Sequence, residues 1–233
     1  MKKIFALVLS VVMMLTISSS VFAHSSDQGK GRGMELSEAL VKSKNAMVDW
    51  KNLTDAEKES VRDFAREGAP LLQEYSRSLM SEKDLQNKLA ALPEDQALAV
   101  MINLIQVDFV EGTEPTASLT SVTTYSAEKY YKGTNALGGE LFRLTHKITW
   151  RSDGDWIVSP APSREITPST SMIGWSYEGT TTDDQRGGVD YNFYESNVIG
   201  HFKLNVVYDV QNVYPRIFLK GRASGVYDYI ISW

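Results

Sequence analysis

Residues 141–150 read LFRLTHKITW, and this stretch alternates between two kinds of side chain. The even positions form one mainly apolar face, made of Phe142, Leu144, His146, Ile148 and Trp150. The odd positions between them are polar: Arg143, Thr145, Lys147 and Thr149. Because a period of two is typical of a half-buried β-strand, we predict a strand here. Asp153-Gly154 follows it and predicts a tight turn into a second strand at 156–158.

The rest of the second half of the chain carries similar signals. Alternation is regular in 200–210 and 226–233, and less regular strands fit 118–125, 172–177, 189–195 and 213–220. Residues 115–233 contain 18 aromatic side chains against 4 in residues 24–114. Aromatic and β-branched residues favour a pleated, half-buried surface. About eight strands separated by turns predict an antiparallel β-sandwich, with a β-barrel as the alternative. We expect the last strand, 226–233, to lie inside its sheet.

Residues 34–114 have helical rather than strand periodicity. Thr54 and Glu57 have the spacing of a capping box, in which each side chain accepts a hydrogen bond from the backbone at the start of a helix. We expect a break between two helices at 68–70 (GAP), with Pro70 opening the second one. About four or five short amphipathic helices therefore precede the sandwich. The predicted fold class is α+β, with helices and strands segregated along the chain.

The first residues have the pattern of a secretory signal peptide. Two lysines precede an apolar run at 4–17, and small residues before position 24 fit a cleavage site between Ala23 and His24. The apolar run is shorter than the roughly 20 residues of a membrane-spanning helix. We therefore expect cleavage, no membrane association afterwards, and a secreted, extracellular protein, or a periplasmic one if the source is Gram-negative.

Four segments follow from these patterns. Residues 24–33 (HSSDQGKGRG) are polar and glycine-rich, which predicts a flexible leader. The predicted organisation is a signal peptide at 1–23, a flexible leader at 24–33, a helical region at 34–114 and an antiparallel β-sandwich domain at 115–233.

Composition and charge exclude several classes of function. The 233-residue chain has 24 Lys and Arg, 29 Asp and Glu, and no Cys, which gives a formal net charge of −5. An acidic balance argues against nucleic acid as a partner, because nucleic-acid binders present clustered basic side chains. The absence of Cys excludes disulfides, Cys-ligated zinc and thiol catalysis. We predict no cofactor.

No motif identifies a catalytic centre or a metal site. The chain has neither the H-E-x-x-H pattern of zinc peptidases nor the G-x-S-x-G turn of serine hydrolases. His146 lies on an apolar face, where a hydrogen-bonded structural histidine is expected. Four acidic residues near turns are candidates for glycoside hydrolysis, but their spacing selects no pair: Asp153, Asp155, Glu178 and Glu195. Three aspartates form a weak Ca²⁺ candidate, for which a polar hairpin loop is the favoured interpretation: Asp183, Asp184 and Asp190.

The aromatic residues are the more informative group. Several of them exceed what one core face needs, and an exposed flat ring offers a large contact area to a sugar or a protein partner. The candidate binding residues are Trp156, Trp175, Tyr177, Tyr191 and Tyr194. We expect most of these rings to be in the core and at least one to form an exposed binding platform.

Short segments of the second half resemble a group of uncharacterised secreted β-rich proteins of Gram-positive bacteria. They are ITW at 148–150, SDG at 152–154, GHF at 200–202, YP at 214–215 and GVY at 225–227. The resemblance implies export and a β-rich fold, and no activity comes with it.

The sequence favours a non-catalytic extracellular binding protein. Its expected partner is cell-wall glycan or another secreted or surface protein. Two alternatives stay open. One is a secreted hydrolase that uses carboxylates, and the other is a secreted toxin or antimicrobial factor whose helical region is a pro-segment.

Overall fold

The computed structural model describes residues 26–78, 80–113, 122–206 and 211–233, and for 26–30 it describes the backbone alone. The predicted signal peptide, its cleavage site at Ala23 and His24, and the junction at 114–115 lie outside these ranges. Within them, no helix is both long enough and apolar enough to cross a membrane.

The first half of the described chain is helical, as the periodicity predicts. The five helices are α1 (Ser26–Lys42), α2 (Ala46–Asn52), α3 (Asp55–Arg77), α4 (Glu82–Ala91) and α5 (Glu94–Met101). The predicted capping box is present at the start of α3, where the Thr54 side chain accepts from the Glu57 N–H and the Glu57 side chain accepts from the Thr54 N–H.

The predicted break at 68–70 is wrong, because α3 continues through Pro70. The Pro70 ring lies on the solvent side of the helix. The buried side of α3 therefore keeps its helical spacing through Val61, Phe64, Ala65, Gly68, Leu72 and Tyr75. Gly68 is required there, since a Cβ atom at this position would meet the backbone of Ala99 in α5 at 2.2 Å.

Helix α1 covers all but the first two residues of the predicted flexible leader, 24–33, so that prediction does not describe the fold. Gly33 is buried, and a Cβ atom on it would lie 2.3 Å from the backbone oxygen of Ser60 in α3. The Arg32 guanidinium donates to the Glu57 carboxylate at 2.7 Å and holds the pKa of that carboxyl below its usual value. The glycine thus permits close packing of two helices.

The second half forms two antiparallel sheets. The first contains β1 (Asp108–Gly112), β2 (Thr123–Thr134), β3 (Glu140–Ser152) and β4 (Ser163–Thr170), in that order. The second is built from β5 (Trp175–Gly187), β6 (Phe193–Leu204), β7 (Gln211–Val213), β8 (Arg216–Arg222) and β9 (Tyr227–Ser232). Its order is β5-β6-β8-β9, with β7 also pairing to β6. The predicted α+β sandwich is confirmed, and the alternative of a closed barrel is wrong.

Strand β3 lies where the opening pattern predicts it. Its five even-numbered residues from 142 to 150 are all buried, whereas the odd-numbered residues between them are partly exposed. They face the buried residues of β6 and β8, among them Val198, Phe202, Ile217 and Leu219. The hydrophobic core lies between these inner faces and continues into the helices.

Other strand boundaries differ from the predictions. Strand β6 runs unbroken through 195–200, where the predictions leave a gap between two strands. Most of β2 and all of β4 lie outside the predicted strands. The Trp156–Val158 segment forms one isolated bridge, between Ser152 and Ile157, instead of a strand.

The last strand, β9, is at the edge of its sheet, so the prediction of an internal position is wrong. It pairs with β8, and Tyr229 and Trp233 remain about half exposed. Side chains from other elements cover part of the β9 face that carries these two rings. Lys129 of β2 lies 3.7 Å from the centroid of the Tyr229 ring, and Phe109 of β1 packs against Trp233.

Strand pairing and hydrogen bonds join the helical region to the sandwich, across the predicted boundary at 114–115. Strand β1 belongs to the predicted helical region, 34–114, yet it pairs with β2. The Trp175 indole N–H donates to the Leu104 backbone oxygen at 2.8 Å. Gln211 accepts from the Gln106 backbone N–H and donates to its carbonyl.

Candidate functional site

The five aromatic residues selected from the sequence separate into core and surface groups. Trp175 and Tyr194 are 5% and 3% exposed and belong to the core, and Tyr177 is partly buried against it. Trp156 and Tyr191 are 53% and 54% exposed. The two exposed rings are the remaining candidates for a binding platform.

Trp156 and Tyr191 come from two loops that are hydrogen-bonded to each other. The Ile157 N–H donates to the Tyr191 backbone oxygen at 2.8 Å, and the Asp190 N–H donates to the Ile157 oxygen at 3.0 Å. Since each bond joins the residue after Trp156 to Tyr191 or its neighbour, the two loops are held side by side. We call this end of the sandwich, with both rings, the aromatic end.

The loop that carries Trp156 is shaped by a local turn. Gly154 has a φ of 110°, a region that favours glycine. The Asp153 carboxylate accepts from the backbone N–H groups of Asp155 and Trp156 at 3.1 and 2.9 Å. These bonds, the one from Trp156 above all, hold the pKa of Asp153 below its usual value. The backbone that presents the indole ring is therefore fixed before any ligand arrives.

A third loop, between β8 and β9, completes the aromatic end. The Ala223 N–H donates to the Asn192 backbone oxygen at 2.9 Å. A cavity of about 310 Å³ opens between the three loops, a volume at the lower end of the range for small-ligand sites. Its lining residues are Gly154, Asp155, Asn192, Phe193, Lys220, Arg222, Ala223 and Ser224. Trp156 and Tyr191 are each next in sequence to one of them.

The cavity presents polar groups of several kinds. Lys220 and Arg222 are bound to carboxylates outside the cavity lining, Glu195 at 2.6 Å and Asp228 at 2.6 Å. By contrast, three lining side chains have no hydrogen-bond partner among the described residues: Asp155, Asn192 and Ser224. A carboxylate, an amide and a hydroxyl are thus available to a ligand, and together they both donate and accept.

A larger cavity of about 400 Å³ lies beside the helices, and three of its polar side chains, those of Asn45, Gln211 and Asn212, are already hydrogen-bonded. Of its lining residues, Gln211 is bonded to Gln106, and Asn212 is 2.8 Å from His201 Nε2. The exposed ring of Tyr214 is stacked on His201 with centroids 4.6 Å apart. The aromatic end leaves a carboxylate, an amide and a hydroxyl unbonded among the described residues, so it is the better candidate for a ligand with many hydroxyl groups.

The Ca²⁺ candidate is not supported by geometry. Within the described ranges, no three His, Asp or Glu side chains lie close enough to hold a metal ion. Asp183 forms an ion pair with Arg164. Asp184 follows it on β5, and Asp190 has a φ of 67° in the turn after that strand. The interpretation as a polar hairpin describes these residues better.

The four acidic candidates for glycoside hydrolysis are also separated by their surroundings. Asp155 alone among them lines the cavity of the aromatic end. Asp153 is bound to backbone N–H groups, and Glu195 is paired with Lys220. Glu178 accepts from the hydroxyl of Ser176. The cavity lining therefore holds one carboxylate rather than the pair that this chemistry uses.

A serine–histidine pair that the sequence analysis missed lies between the sheets. Ser196 Oγ is 3.0 Å from His146 Nε2, and His146 Nδ1 is 3.3 Å from the Ile217 backbone oxygen. Both side chains have 0% exposure. This spacing resembles that of an activated nucleophile, but a substrate cannot reach it in this fold. His146 is the buried, hydrogen-bonded residue that its position on the apolar face predicts.

No protein-family model, curated protein or solved structure matches this chain.

Proposed function

We propose that the protein is exported and acts outside the cell as a non-catalytic binding protein, whose aromatic end binds cell-wall glycan. The observation that supports this proposal most directly is the position of Trp156 and Tyr191. Each of these two exposed rings belongs to a residue next in sequence to one that lines the cavity. The Asp155, Asn192 and Ser224 side chains in that lining have no hydrogen-bond partner among the described residues.

The chemistry of a sugar suits this arrangement. One side of a pyranose ring carries axial C–H groups that pack on an aromatic face, and its hydroxyls both donate and accept hydrogen bonds. Trp156 and Tyr191 offer the aromatic faces. The Asp155 carboxylate accepts, whereas the Asn192 amide both donates and accepts. Three unbonded, exposed polar side chains beside two exposed rings suit the mixture of hydroxyl and C–H groups on a saccharide, and this combination favours a saccharide over a protein partner.

Preorganisation supports the same proposal. The backbone bonds that join the three loops, together with the Asp153 turn, fix the backbone that carries the two rings before binding. A rigid site loses less conformational freedom on binding than a flexible one, which matters for a ligand that makes few apolar contacts.

Co-sedimentation with purified, insoluble cell-wall glycan tests the proposal. We expect the purified protein to bind, and we expect Trp156→Ala and Tyr191→Ala each to weaken binding by about tenfold, the loss of one ring contact. Tyr214→Ala is the matched control, because Tyr214 is also an exposed aromatic residue but lies away from the aromatic end.

Two results would contradict the proposal. One is a protein that does not bind to the glycan at all. The other is binding that Tyr214→Ala weakens as much as Trp156→Ala does, since contact would then depend on exposed rings in general. Tryptophan fluorescence adds a direct readout: binding should shift the emission of the unmodified protein to shorter wavelength and leave that of Trp156→Ala unchanged.

Export is a separate part of the proposal, and its support is the sequence of residues 1–23. The mass of the protein recovered from culture medium tests it. A chain that begins at His24 is expected, and a cell-bound protein that still carries Met1 would contradict it.

A further inference from the structure

The four edge strands of the two sheets in the described ranges differ in their protection. An unprotected edge offers unpaired N–H and C=O groups to another strand, and proteins protect such edges with charges, Pro, bulges or short strands. Strand β1 has only five residues, two of them acidic. Strand β4 contains Pro168 and the inward-facing Arg164, and β5 has two irregularities in its register.

Strand β9 is less protected than the other three. Its six residues, YDYIIS, contain no Lys, Arg or Pro, and its register with β8 is regular. Its one charge, Asp228, is held by Arg222 at 2.6 Å. Ile230 is 53% exposed in the middle of the strand.

The backbone groups that face outward from β9 can be identified. Arg222 precedes the turn between β8 and β9, and Val226 follows it. The Arg222 N–H donates to the Val226 oxygen at 2.9 Å, so these two residues form a hydrogen-bonded pair. Hydrogen-bonded and non-hydrogen-bonded pairs alternate along an antiparallel ladder. The even-numbered residues of β9 therefore bond to β8, and Tyr229 and Ile231 direct their N–H and C=O groups away from the sheet. Among the described residues, no strand other than β8 pairs with β9.

We propose that β9 pairs with β9 of a second copy of this chain, antiparallel and centred on Ile230. In this register Ile230 of the two copies are neighbours at a non-hydrogen-bonded position. Tyr229 and Ile231 of one copy then bond to Ile231 and Tyr229 of the other. The two sheets join into one continuous sheet, and both exposed edges are covered.

Side chains on the outer face are complementary in this arrangement. Phe218 of β8 is the register partner of Ile230, so both copies contribute to one continuous apolar row. Asp228 of one copy lies opposite Ser232 of the second, and the register partner of Ser232 on β8 is Arg216. Because serine is short, Asp228 and Arg216 of the second copy face each other about 10 Å apart, two strand spacings, with no long side chain between them. Opposite charges thus lie two strands apart at this register, and no like charges are placed opposite each other.

Disulfide trapping tests the register, since the chain has no Cys of its own. In a non-hydrogen-bonded antiparallel pair the Cα atoms are about 4.5 Å apart, within the range that a disulfide spans. We expect Ile230→Cys to form a covalent dimer under mild oxidation. Val110→Cys is the matched control, because Val110 is 44% exposed on the edge strand β1 and should stay monomeric.

Sedimentation equilibrium of the unmodified protein should show a dimer that dissociates on dilution. Ile230→Lys places like charges opposite each other and should raise the dimer dissociation constant by roughly tenfold or more. Mixing Ile230→Lys with Ile230→Glu should restore the dimer, a result that a damaged fold would not give.

The proposal is overturned if the unmodified protein is monomeric at every accessible concentration, in which case the β9 edge is left for an unrelated partner. It is equally overturned if Val110→Cys forms the covalent dimer as readily as Ile230→Cys does, or if the Lys and Glu variants do not associate when mixed. None of these measurements depends on glycan binding.

Discussion

Ser196 on β6 donates a hydrogen bond to His146 on β3 and so joins the two sheets at the centre of the sandwich, with 3.0 Å between Oγ and Nε2. The Ile217 backbone oxygen can only accept, so Nδ1 of His146 carries the proton of the neutral imidazole, and Nε2 accepts from Ser196. Burial lowers the pKa of His146 to about 4, and the positive charge of Arg164 acts in the same direction. The arrangement therefore stabilises the fold only while the histidine is uncharged.

This arrangement predicts a loss of stability in mild acid. A histidine whose pKa is lowered on folding contributes its full stabilisation above its unfolded pKa, near 6.5, and loses it as the pH falls towards the folded value of about 4. Between pH 7 and pH 5 we expect the free energy of unfolding to fall by about 2 kcal/mol from this group. Urea denaturation at both pH values measures the change.

His146→Gln is the control variant for that experiment. Glutamine keeps a donor and an acceptor but does not titrate, so the variant should be less stable at pH 7 and should lack this part of the pH dependence. If His146→Gln loses as much stability between pH 7 and pH 5 as the unmodified protein does, other groups are responsible.

The second prediction contrasts two tryptophans. Trp175 donates to Leu104 and packs on Phe142 with ring centroids 4.7 Å apart, whereas Trp156 is exposed. Trp175→Ala should cost about 3–5 kcal/mol, as large-to-small changes in a core do. Trp156→Ala should change the free energy of unfolding by less than about 0.5 kcal/mol. Denaturant melts measure both changes. Similar losses of unfolding free energy in the two variants would contradict the placement of Trp175 in the core and Trp156 on the surface.

Strand β3 was predictable because its inner face is apolar throughout apart from His146. Strand β2 alternates in the same way, but one of its inward positions is Lys129, which is buried and donates to Thr113 at 2.5 Å. Strand β4 similarly directs Arg164 towards the interior, where Asp183 neutralises it. A lysine or arginine at an inner position removes the apolar alternation, and its partner comes from a distant part of the chain. No local pattern reveals such a strand.

The candidate site was predictable only in part, because it also depends on contacts between distant parts of the chain. Trp156 and Trp175 both have polar and apolar residues near them in the sequence, and their exposure depends on how the sheets and helices pack around them. Among the cavity residues, Asn192 comes from the turn before β6, whereas Lys220 and Arg222 come from β8. Each is an ordinary polar residue in its own segment. The pairing of β6 with β8 and the hydrogen bonds between loops bring these side chains together.

The third prediction uses two glycines of α1. Gly33 contacts the α3 backbone so closely that Gly33→Ala should cost about 1–3 kcal/mol, as overpacking does. Gly31 has no atom within 4 Å of a Cβ position, so Gly31→Ala should stabilise the helix by up to about 1 kcal/mol. Thermal melts of the two variants should shift in opposite directions. Unchanged melts for both would mean that this part of the chain is a flexible leader after all.

The last prediction concerns the division at residues 114–115. A fragment of residues 115–233 lacks β1, which pairs with β2, and it leaves the indole N–H of Trp175 without the Leu104 oxygen. The fragment also lacks Gln106, the hydrogen-bond partner of Gln211. Burial of large apolar side chains contributes about 1.5–3 kcal/mol each, against a total stability of about 5–15 kcal/mol for a domain. We expect this fragment to lack a cooperative thermal transition by near-ultraviolet circular dichroism, whereas a fragment of residues 26–233 should keep one. A cooperative melt of residues 115–233 at the temperature of the longer fragment would show instead that the sandwich folds independently and that the helices are an addition to it.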